Sequence, residues 1–64
     1  MAIEDIQALE EMRSLTLEHR RKLVKAFTRD HASGSAQDLR EVFLKVQTTL
    51  EAIGRALEDE RAAG

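Results

Sequence analysis

The stretch 39-LREVFLKVQTTLEAIGRAL-57 decides the fold. Leu39, Phe43, Val46, Leu50, Ile53 and Leu57 recur at alternating spacings of four and three. On a helix that spacing draws one apolar stripe, the seam of a helix lying along another helix. Val42 stands beside the stripe. Gly54 also lies beside it, at a cost of about 1 kcal/mol relative to Ala. The expected reason for Gly54 is a close approach of the partner helix. The whole segment predicts a helix over about 36–61, with a frayed end beyond it.

Upstream of this helix, His31-Ala32-Ser33-Gly34-Ser35 is the loop signal of the chain. Gly34 relieves the backbone, and Ser35 is a natural N-cap with Asp38 in the place of the capping-box acid. His31 fits the C-terminal end of the preceding helix. Five residues between helices favour an antiparallel hairpin. Residues of about 4–30 then form the first helix. Glu4, Asp5, Glu10 and Glu11 crowd its start, and Arg20, Arg21, Lys22, Lys25 and Arg29 its end, an order that complements the helix dipole. Its apolar stripe collects Ile6, Leu9, Met12, Leu23, Val24 and Phe27, flanked by Ile3 and Leu17. Thr16 and Arg20 interrupt the middle of that stripe.

Composition agrees with an all-α reading. The chain has 64 residues, 34% of them charged, no proline, and only Phe27 and Phe43 as aromatics. Few β-branched and aromatic residues leave little to build a sheet from. Without cysteine there is neither a disulfide nor a thiolate metal site. No apolar run nears the roughly 20 residues that span a bilayer. The start lacks the basic and apolar regions of a secretory signal. The expected setting is soluble and cytoplasmic, with no membrane association.

Closing the hairpin near residue 33 pairs positions that sum to about 66. Phe27 then meets Leu39, Leu23 meets Phe43, and Leu9 meets Leu57. Arg20 falls opposite Val46, where it must either snorkel along its aliphatic stem or meet an acid from another chain. The middle of the seam, Val46 and Leu50 with nearby Val42 and Leu44, is therefore expected to await a second chain. Leu15 and Leu44 fall off the stripes and would face water in an isolated hairpin. A lone hairpin of this size buries only one stripe of each helix, so a partner is expected, and a second copy is the simplest one.

The residues that could carry chemistry are few. No Glu-x-x-His pair, zinc motif, nucleophile elbow or glycine-rich phosphate loop is present. His19 reads as an edge residue of a bundle. No catalytic residue, metal, cofactor or small-molecule substrate is expected, and the chain does not read as an enzyme. Arg21, Lys22, Lys25 and Arg29 fall together on the outer face of the first helix. That face either is a solvated helix end, with Glu18–Lys22 as an i,i+4 pair, or engages phosphates. The missing exposed aromatics and the net charge of −2 count against a dedicated nucleic-acid binder.

In length, short loop and two matched helices the chain resembles the Rop class of plasmid RNA-binding proteins. The resemblance covers the outline of the chain and carries over no site residue. It implies two hairpins in an antiparallel four-helix bundle with one face that binds paired RNA loops. Two functions follow as expectations. The first is a protein-interaction or assembly module, as a homodimer or as a subunit on a larger partner. Its seam is Leu39, Val42, Phe43, Val46, Leu50, Ile53 and Leu57, with Leu15, Leu44 and Arg20 facing the partner. The second is a small Rop-like regulator that binds nucleic acid through Arg21, Lys22, Lys25 and Arg29.

Overall fold

A computed structural model describes residues 2–30 and 36–63. Among them the chain is all helix: α1 runs Ala2–Asp30 and α2 runs Ala36–Ala63. Each helix extends two residues further at the chain-terminal end than the seam requires. Ala2, Ala62 and Ala63, strong helix formers, account for the extension. The expected loop features, Gly34, the Ser35 cap and His31, lie outside the described residues.

The two helices pack against each other as one long rod, 48 × 14 × 11 Å. Its register is close to the expected one. Arg40 stacks over the Phe27 ring, 5.8 Å from its centre. Arg20 reaches Gln47, its Nη1 donating to Oε1 at 3.0 Å. Each pair lies one residue from the expected partners Leu39 and Val46. Near the open end Arg61 donates to Glu10 at 3.1 Å.

The core is the seam itself. Val46, Ile53 and Leu57 are buried, and Leu39, Phe43 and Leu50 are half-buried. From α1 the facing residues Ile6, Leu9, Thr16, Leu17, Arg20, Leu23 and Phe27 are all half-buried. Met12 and Val24, placed on that stripe by periodicity, turn out exposed on its two flanks.

Two expectations are corrected here. The middle of the seam does not await another chain at Val46, which is only 7% exposed within the hairpin. Two local hydrogen bonds make this possible. The Arg20 guanidinium donates to Gln47 on the flank of the seam, so it does not stand over Val46. The Thr16 hydroxyl folds back onto the Met12 carbonyl at 2.7 Å, so its donor needs no partner from α2. Gly54 is the second correction. A Cβ built there meets nothing within 4 Å, so no close helix approach demands glycine. Nor does its backbone, since no glycine among the described residues has a positive φ.

Candidate interaction surface

A helix with one apolar stripe has two flanks, and the hairpin joins the flanks of α1 and α2 into two long sides. The seven-residue interval identifies them on α2. Arg40, Gln47, Gly54 and Arg61 form one column beside the seam, and Val42, Thr49 and Ala56 form the other.

The first side is polar. Its groove is lined by Arg13, Arg20, Gln47, Glu51, Glu58 and Arg61 around Leu17, Leu50 and Gly54. Two polar contacts between the helices, Arg20–Gln47 and Arg61–Glu10, lie here. Toward the loop the same side opens into an apolar hollow of about 230 Å³ between Leu23, Val24, Phe27, Leu39 and Phe43. Arg40 and Thr28 stand at its edge.

The second side is lined differently. Leu9, Met12, Thr48, Thr49, Ala52, Ile53 and Ala56 form a groove of about 360 Å³ without a single charged group. Its only polar side-chain atoms are two hydroxyls, and both are satisfied locally. Thr48 donates to the Leu44 carbonyl at 3.0 Å and Thr49 to the Lys45 carbonyl at 2.9 Å. Covering this groove would therefore strand no donor, and the threonines present methyl groups to whatever covers it. Met12 is exposed within it, and Val42 is exposed on the same flank of α2. Leu15, three residues after Met12, continues the apolar surface around the shoulder of α1 and is exposed. Leu44 is exposed too, but at the seven-residue interval it shares a column with Glu51 and Glu58 of the polar groove.

The expected site residues are thus divided. Leu39, Phe43, Val46, Leu50, Ile53 and Leu57 come together, but mostly against α1. Val42, Leu15 and Leu44 remain open. Arg20 belongs to the polar side, not to the open apolar one. Arg21, Lys22, Lys25 and Arg29 are exposed on the outer face of α1. Glu18 and Lys22 form no ion pair with each other. The uncharged groove itself was not foreseen. Its signal was present as the uncharged column Val42, Thr49, Ala56, but Leu9 and Met12, which complete the lining, come from α1. Among the described residues no three His, Asp or Glu side chains converge as a metal site, and no helix is long and apolar enough to cross a membrane.

No known protein family, curated protein or solved structure matches this chain.

Proposed function

We propose that this protein is a non-enzymatic interaction and assembly module, acting as a cytoplasmic homodimer in which two hairpins form a four-helix bundle. The uncharged groove carries this reading. A helix that packs against one neighbour needs a single apolar stripe, whereas a helix inside a bundle needs an additional flanking column. α2 has that column in Val42, Thr49 and Ala56, and Met12 supplies its counterpart on α1. The hairpin alone leaves Val42 and Met12 exposed and Thr49 and Ala56 half-buried, while its own core holds only three buried side chains among the described residues. Covering the groove would enlarge that core without burying a charge. The test is the molecular mass in solution by light scattering across a concentration series. Twice the chain mass at micromolar concentration is expected, with dissociation on dilution. A compact monomer with cooperative unfolding at every concentration overturns the reading.

A second reading, a small nucleic-acid-binding regulator, draws on one observation. Arg21, Lys22, Lys25 and Arg29 are exposed together on the outer face of α1, which the groove does not use. That reading requires binding that weakens steeply with salt, with a smaller slope once two of these residues are alanine. Failure to bind any RNA or DNA at about 50 mM salt removes it.

A further inference from the structure

We infer that the second copy lies antiparallel on the uncharged groove, with the two-fold axis passing beside Thr49. This rests on the self-association proposed above and specifies its geometry. Three independent features support it.

The first is shape. Along the open column of α2 the side chains taper from Val42 through Thr49 to Ala56, each seven residues from the next. Laid antiparallel about Thr49, Val42 of one copy meets Ala56 of the other at both ends, large against small. Laid parallel, Val42 would meet Val42 and Ala56 would meet Ala56, crowding one end and leaving a void at the other. Close-packed interiors disfavour both. At the axis Thr49 meets its own copy. Its hydroxyl is already bonded to the Lys45 carbonyl, so the contact is methyl to methyl.

Charge is the second feature, and it divides at the same level. The open-end half, residues 2–16 and 50–63, holds eight acids against three bases. The loop-end half, residues 17–30 and 36–49, holds seven bases against four acids. A parallel pair would set like ends side by side. An antiparallel pair sets each acidic end along the other's basic end, which fixes orientation even where individual exposed pairs are weak. The register also brings Asp38 near Glu60 of the second copy, a repulsion confined to the two rims.

Overlap is the third. Thr49 stands at the middle of α2, so an axis there gives the longest shared length. The rod is 48 Å long, so an axis at its middle lets both flanks run along each other for the greatest distance.

The chain has no cysteine, so single cysteines report the geometry directly. Under mild oxidation Thr49→Cys is expected to link to itself as a covalent dimer. Val42→Cys and Ala56→Cys are each expected to stay unlinked alone and to link to one another when the two are mixed and refolded. A spin label on exposed Asp59→Cys gives a measurement that leaves the groove untouched. Ten residues from the axis, at 1.5 Å each, puts two labels about 30 Å apart along an antiparallel pair and level with each other in a parallel one. A short Asp59 distance, or self-linked Ala56→Cys, overturns the antiparallel arrangement while leaving self-association intact. A monomeric mass for the unmodified chain overturns both.

Discussion

Arg40, Gln47, Gly54 and Arg61 run along one flank of the α2 seam; Val42, Thr49 and Ala56 run along the other. Through three of its four residues the first column makes the contacts that cross between the helices: a cation over a ring, a hydrogen bond and an ion pair. Among the described residues the second makes no polar contact with α1, and its hydroxyl is turned back on its own helix. The same seam is thus bordered by a flank that closes the hairpin and a flank that could leave it. The difference shows how a short chain can specify both its own fold and a place for another. Polar groups placed on one side set the register, and their absence on the other removes the desolvation cost of covering it.

The largest expected effect falls on what both flanks share. Leu57 is the most buried of the three core side chains. Leu57→Ala should cost about 2–5 kcal/mol, from lost transfer energy and the cavity left behind. In a domain this small that is a large part of the total stability, so the urea midpoint by circular dichroism should fall sharply or the transition vanish. A loss below about 1 kcal/mol would mean that the seam does not hold the helices together.

A matched pair separates the flanks. Met12 and Val24 are each 48% exposed, one in the uncharged groove and the other in the hollow on the polar side. Met12→Glu should weaken self-association by about 2–4 kcal/mol, roughly 30- to 1,000-fold in Kd, because the carboxylate would be desolvated without a partner. Val24→Glu should change it less than about threefold, since that side stays in water. Sedimentation equilibrium of the two variants checks both. Equal effects would erase the distinction, and the reverse order would move the interface to the polar side.

How far the sequence already told this can be judged residue by residue. The heptad from Leu39 to Leu57 was legible as a seam because period alone determines which side chains share a face. The loop-end register was legible too, to within one residue at Phe27 and Arg20, because five residues fix where a hairpin closes. The fate of Val46 was not. It depends on Arg20 turning toward Gln47 and on Thr16 bonding its own backbone, choices of rotamer and not of pattern. Gly54 misled for a related reason: its place beside the seam is visible in the sequence, but the space around it is not. The uncharged groove needs the flanks of both helices at once, so neither helix reveals it alone.

Gly54 provides a smaller test on the polar flank. A Cβ there meets nothing within 4 Å and the backbone is helical. Gly54→Ala should therefore stabilise the protein by about 1 kcal/mol, the propensity difference in a helix interior. Thermal unfolding at fixed concentration reads this directly, and the dimer dissociation constant should not move beyond what added helix stability explains. If Gly54→Ala instead weakened association, something in solution would be packing closely on the polar side.

The smallest effect belongs to the ion pair at the open end. Arg61 and Glu10 are each more than half exposed, so their 3.1 Å contact is strongly screened. A double-mutant cycle through Arg61→Ala and Glu10→Ala should return a coupling of about 0.2–1 kcal/mol. That coupling should fade toward zero near 1 M salt, where charges are screened within about 3 Å. Small size is itself the informative outcome. A pair left in water on both copies can be worth no more than this, whereas one covered by a second chain would be desolvated and couple more strongly. A coupling well above 1 kcal/mol that survives high salt would show the polar flank covered in solution, and the contrast between the two columns of α2 would be lost.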